Sequence, residues 1–235
     1  TRVDAETVLL DTEPGLGQVV RERIDRFLFR TEVAFENETW EGIAVRGPGA
    51  EEAATGSPIA MRSPWPGEEG LDLVGVGWSI PDGAEEISVD ELDALRIRLG
   101  WPSTTDFDEG TTPAMTGIVG HTVSFTKGCY TGQEFVARVH YREASPPRRL
   151  VQIGFHPCTQ PSVGDEIVVG EESVGSITSV SKYQPFALGY LKRAVATPEE
   201  ATLGGAPICL GDTPASGTSR AESRPKNTVS PLTFG

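Results

Sequence analysis

The pair Pro146-Pro147 separates two stretches of chain that follow different patterning rules, and this change limits the folds open to the sequence. Consecutive prolines lack backbone donors and fix φ, so neither a helix nor an inner strand runs through them. Beyond them come short apolar runs at 150–155, 166–169, 174–180 and 186–191, separated by glycine-bearing turns. That spacing predicts a small antiparallel β-barrel or sandwich over residues 146–210. After Gly211 the sequence is rich in Thr, Ser, Pro, Gly and Ala and carries too little apolar surface to offset ordering, so 211–235 reads as a disordered tail.

Ahead of the prolines the patterns mix. Residues 8–10 read as a short buried strand, and apolar residues at Leu16, Val19, Val20, Ile24, Phe27 and Leu28 recur at helical spacing. Alternation predicts strands at 31–35 and 43–46, a short one at 59–62 inside the loop 56–70, and another at 71–76. Ser88-Val89-Asp90-Glu91 has the form of a capping box and opens a helix to Leu99, with Val89, Leu92, Leu95 and Leu99 inward. Gly100 and Pro102 stop it. The fold class is α+β, with residues 1–145 forming one body of two interleaved subdomains before the barrel. Because a strand at residue 8 has so little before it, the body is expected to lack its N-terminal part.

Composition narrows the function classes. The 27 glycines and 18 prolines suit a turn-rich fold. No stretch reaches the roughly 18–20 apolar residues that cross a bilayer, so a cytoplasmic protein without membrane contact is expected, and a monomer. Cys129, Cys158 and Cys209 show neither a Cys-x-x-Cys pair nor zinc-ligand spacing, so reduced thiols and no metal site are expected. A net charge of −14 repels polyphosphates and disfavours direct nucleic-acid binding.

One segment carries chemistry: Lys127-Gly128-Cys129-Tyr130-Thr131-Gly132-Gln133-Glu134. A strand at 123–125 would deliver it, and Thr131 with Glu134 forms a second capping box opening a helix, two residues beyond Cys129. Helix-start amides and a nearby Lys127 favour a thiolate. Glycines at 128 and 132 let a backbone approach a ligand closely. From the residues alone, Cys129 reads as a nucleophile, a redox sensor or a soft metal ligand, or equally as a small buried residue beside a solvated lysine.

This segment resembles the signature of the YgfZ family, folate-binding proteins that support iron–sulfur cluster assembly or repair and are related to the glycine-cleavage aminomethyltransferase. The likeness extends to Arg96-Ile97-Arg98-Leu99-Gly100, to Asp108-Glu109-Gly110-Thr111-Thr112-Pro113, and to Gly175-Ser176-Ile177-Thr178-Ser179 with Ala187-Leu188-Gly189-Tyr190, over roughly residues 3–195. The resemblance implies an aminomethyltransferase-like folate-binding body followed by the barrel. It implies tetrahydrofolate, or a one-carbon derivative, as ligand and iron–sulfur proteins as partners, with any effect on tRNA modification indirect.

It further implies that Cys129 and Lys127 perform the thiol chemistry, while Arg96, Tyr130, Gly132, Gln133 and Glu134 contact the folate. Arg96 would meet its carboxylate and Tyr130 stack on a ring. Arg98 stands where the family has glutamate, and the aminomethyltransferases' catalytic aspartate falls in a region this sequence does not contain. A folate-dependent aminomethyl or methyl transferase and a non-catalytic interaction module are the alternative readings. His121, His140 and His156 share no spacing and read as hydrogen-bonded or surface residues, with His140-Tyr141-Arg142 closing the motif helix. Cys158 and Cys209 read as structural.

Overall fold

The computed structural model describes residues 1–30, 32–54, 59–75, 80, 82–130, 132–141, 145–195 and 200–213. By contacts the chain divides into two units, Thr1–Leu92 and the residues from Asp93 onward. The division falls inside a helix, between Leu92 and Asp93.

The first unit contains helix α1 (Gly17–Asp25) and three strands, β1 (Gly42–Arg46), β2 (Ile59–Arg62) and β3 (Gly70–Val74). The strands form an antiparallel sheet in the order β1-β3-β2, with Ile43 opposite Leu73 and Met61 opposite Asp72. The central strand carries the buried pair Leu71 and Leu73. Arg46 is held on this sheet by Asp72 at 2.7 Å and by the Trp65 ring at 4.5 Å. Gly70 is required there, since a Cβ would lie 2.9 Å from both Arg46 Cδ and Ser63 Cβ.

Several expectations for this unit are corrected. Residues 8–10 are not a buried strand: Val8 makes one isolated bridge to Arg2 and is 61% exposed. Residues 32–35 form no strand, and Thr31 lies outside the described residues. Helix α1 forms where its spacing predicts but ends at Asp25 and has no buried residue.

Helix α2 (Val89–Arg98) starts at the expected capping box: Ser88 N–H donates to Glu91 Oε2 at 2.8 Å and Glu91 N–H to Ser88 Oγ at 3.2 Å. These bonds hold the Glu91 carboxyl below its ordinary pKa. The buried side matches the expected one only in part, since Leu92, Leu95 and Leu99 are half-buried. Val89 is exposed, while Ala94, Arg96 and Ile97 are buried. Arg96 is held inside by a charge network described below.

Short helices α3 (Pro113–Thr116) and α4 (Val119–Thr122) follow, then α5 (Gln133–Tyr141). The barrel comprises β4 (Arg148–Phe155), β5 (Glu166–Val169), β6 (Glu172–Val180), β7 (Phe186–Lys192), β8 (Ala201–Leu203) and β9 (Ala206–Asp212). It closes in the order β4-β7-β6-β5-β8-β9, with β9 returning to β4 antiparallel. Closure leaves no strand edge for another chain to extend. Four of these strands stand where the apolar runs predict; β8 and β9 do not appear in that reading. Their signal is Gly204-Gly205, both at positive φ, the hairpin dipeptide between two short alternating runs. Gly211 and Asp212 therefore belong to the barrel, and residues 214–235 of the expected tail lie outside the described residues.

The strands bury both faces. Val151, Ile153, Ile167, Ile177, Ala187 and Leu191 fill the inside. Leu150, Leu188 and Tyr190 point outward and pack with Ile97 of α2 and Met115 of α3. Strands β6 and β7 approach closely at two glycines: a Cβ on Gly189 would lie 2.5 Å from the Ser176 carbonyl, and one on Gly175 would overlap the Tyr190 carbonyl.

Candidate functional site

Residues 127–130 and Gly132 lie in the second unit between α4 and α5, and Gln133 and Glu134 open α5. The chain leaves α4 at Val123, and residues 123–125 are not a strand; the Ser124 and Thr126 hydroxyls hydrogen-bond to each other at 3.3 Å instead. Cys129 therefore lies on an irregular loop rather than at a strand-to-helix turn. Helix α5 begins only at Gln133, so Cys129 stands four positions before it. The expected cap residue Thr131 lies outside the described residues.

Three local devices shape the loop. Tyr130 N–H donates to Gln133 Oε1 at 3.1 Å, and Gln133 N–H returns to the Tyr130 carbonyl at 3.2 Å. Gly132 sits at φ +86°, where an L side chain is strained, and its carbonyl accepts the Val136 N–H at 3.2 Å. The Lys127 ammonium lies 4.5 Å above the Tyr130 ring centroid. These contacts link Lys127, Tyr130 and Gln133 within the loop that carries Cys129, whose thiol is free and exposed. The reading of Cys129 as a small buried residue is thereby corrected. Glu134 is exposed in the first turn of α5, and the side chains of His140 and Tyr141, with Arg142, lie outside what is described. Around Gly128 a Cβ would meet no atom within 4 Å, so packing inside this chain does not demand glycine there.

Arg96 is elsewhere. Its Nε donates to Asp93 at 2.6 Å, Nη1 to the Trp101 carbonyl at 2.7 Å and to Asp106 at 3.0 Å, and Nη2 to Ser179 Oγ at 3.2 Å. Every nitrogen of the guanidinium is used, so it offers no open face to a ligand carboxylate. Asp106, which the sequence reading missed, also accepts from Ser103 N–H at 2.9 Å, from Thr178 Oγ1 at 2.5 Å and from Ser179 Oγ at 2.7 Å. The signal for it was Ser103-x-x-Asp106, a capping box on the short 3-10 turn Thr104–Asp106.

A second ion pair fixes the stretch 108–113 to the barrel. Arg148 Nη2 donates to both oxygens of Asp108 at 2.6 Å, and its guanidinium lies 4.5 Å over the Tyr190 ring. The Arg148 hydrogen bond, aided by Thr111, pulls the Asp108 carboxyl down to about 2. Burial pushes the Tyr190 phenol up to about 12.

His121 packs edge-on against Trp101 at 5.8 Å. Cys158 and Cys209, expected as structural, are exposed on the barrel. Among the described residues no three His, Cys, Asp or Glu side chains are grouped to hold a metal, and no helix is long and apolar enough to cross a membrane.

Comparison with known proteins places the chain. No family model matches it. Over 132 residues it is 31% identical to the "tRNA-modifying protein YgfZ" of Pectobacterium atrosepticum, covering 54% of this chain and 38% of that protein. Over 138 residues it is 30% identical to an aminomethyltransferase of Streptomyces avermitilis, covering 53% of this chain and 35% of the relative. The solved structure of the glycine cleavage system aminomethyltransferase T from Bartonella henselae matches its fold with a TM-score of 0.62 at 17% identity, over 86% of this chain and 66% of that one. The chain is similar to YgfZ proteins and to aminomethyltransferases. Its matched region spans well under half the length of these curated relatives. For this YgfZ-like chain the fold class read from sequence, an aminomethyltransferase-like α+β body with a closed antiparallel barrel, holds.

Proposed function

We propose that this chain is a tetrahydrofolate-binding accessory protein that supports iron–sulfur cluster assembly or repair, with Cys129 as its working thiol. Its effect on tRNA modification would follow indirectly from that support, since a net charge of −14 opposes direct contact with RNA. The observation that carries the reading is the exposed Cys129 thiol, flanked by a Lys127 ammonium seated on the Tyr130 ring, within a segment of YgfZ type.

The residues fit a folate on one condition. The benzoyl-glutamate tail needs a cation, and the candidate chosen from sequence, Arg96, has its nitrogens occupied. Lys127 is exposed and two residues from Cys129, and we assign the tail carboxylate to it. Tyr130, half-buried and fixed by Gln133, would offer the pterin or benzoyl ring the part of its surface that Lys127 does not cover, and Gly128 and Gly132 leave open space beside their own backbone. Folate, when bound, supplies a one-carbon carrier next to the thiol.

Calorimetric titration with tetrahydrofolate tests this, together with complementation of a strain lacking its own YgfZ-type protein. Saturable binding by the chain and by Cys129→Ala, with loss of complementation only in the variant, is the expected result. No saturable binding removes the folate reading, and full complementation by Cys129→Ala removes the thiol.

A second reading, a folate-dependent aminomethyl or methyl transferase, is favoured by the 30% identity to an aminomethyltransferase. Turnover of a methylamine donor in the presence of tetrahydrofolate distinguishes it.

A further inference from the structure

At one end of the barrel, the loop leaving β4 and the turn joining β8 to β9 border a cleft of about 560 Å³. That is within the range of small-molecule sites, roughly 300–1,000 Å³. Pro161, Leu203, Ala206 and Pro207 give it apolar walls. Two of these are prolines, whose rings lose no rotamer freedom when a ligand settles against them. His156 and Cys158 line the same cleft. The Cys158 backbone N–H donates to His156 Nδ1 at 3.2 Å, which ties the imidazole to the wall.

Charge selects the ligand. Among the described residues, Asp165 is the one carboxylate lining the cleft, and no lysine or arginine lines it. Its Oδ2 is held by the Ser162 N–H at 2.8 Å, which orients the carboxylate. An anion entering the cleft would meet no counter-charge among the described residues and would also face the protein's net charge of −14. A cation gains on both counts.

We propose that this cleft is a binding site for a small organic cation with a flat apolar body, of the aryl-amidine or aromatic-amine class. The cationic group pairs with Asp165, and the flat body lies between the proline walls and the His156 ring. The site shares no residue with the segment 127–134 and does not depend on the folate reading.

Cys158, exposed in the cleft wall, is a built-in reporter. Its alkylation by neutral iodoacetamide, followed by peptide mass spectrometry on the full chain, is measured against rising benzamidine. The expected result is a saturable slowing at Cys158 and none at Cys129. Benzoate, with the same ring and opposite charge, gives no protection. Asp165→Asn keeps an acceptor for the Ser162 N–H, and raises the half-protecting concentration by about fivefold, the size of one exposed charge contact. Undiminished alkylation at millimolar benzamidine, equal protection by benzoate, or an unshifted Asp165→Asn curve would each overturn the proposal.

Discussion

The Arg96 guanidinium and the Asp106 carboxylate, ten positions apart, meet at 3.0 Å with only 7% and 2% of the residues exposed. A buried pair stripped of one member leaves an uncompensated charge. Asp106→Ala also orphans the Thr178 and Ser179 hydroxyls, so it is expected to lower unfolding free energy by about 3–5 kcal/mol in urea denaturation. Asp93→Ala removes a half-exposed partner of the same arginine and should cost under about 1 kcal/mol.

The glycine in β7 sets how closely two strands approach. A methyl at Gly189 would press on the Ser176 carbonyl at 2.5 Å and on Ile153 Cδ1 at 3.0 Å. Gly189→Ala is expected to destabilise the barrel by about 1–3 kcal/mol, read as a fall in the urea midpoint. An alanine at Gly164, where φ is +93° but the space is open, should be milder, because only its backbone is strained.

Acid stability should carry the signature of Asp108. Its folded-state carboxyl is depressed to about 2, so the Arg148 pairing contributes stability above the ordinary carboxylate range and loses it as pH falls toward 2. Melting curves of the wild type and Asp108→Asn are expected to differ at pH 6 and to converge between about pH 4 and 2. A constant offset across that window would contradict the assignment.

Alkaline stability should follow Tyr190. Its folded-state phenol is raised to about 12, so the unfolded chain ionises first and stability drains away as pH rises from about 10 to 12. Tyr190→Phe should flatten this part of the melting-temperature profile.

The exposed thiol predicts a separation of stability from function. Cys129→Ala should leave the urea midpoint unchanged within about 0.5 kcal/mol, since no buried contact is lost. Lys127→Ala should weaken tetrahydrofolate binding by about tenfold, the loss of one charge-assisted contact. Arg96→Lys, by contrast, should lower stability before it touches binding.

Much of the fold was legible because local rules and tertiary contacts agree there. Ser88 and Glu91 satisfy helix-start donors wherever the chain lies, so α2 begins where its sequence says. The runs of β4 to β7 carry their own β-branched patterning. The strands β8 and β9 were harder, being short and including Pro207, and they are held by pairing with β5 and β4 across the barrel.

In the segment 127–134 the turn at Gly132 and Gln133 is local chemistry, because its interactions span only a few residues. What the sequence did not decide is where arginine charge is spent. Arg96 was equally suited to a ligand or to a carboxylate of its own chain. Only the fold brought Asp106 and Ser179 to it, through hydrogen bonds spanning 10 and 83 positions. Periodicity reports which side of a helix is apolar; it is blind to a buried charge whose partners arrive from distant strands.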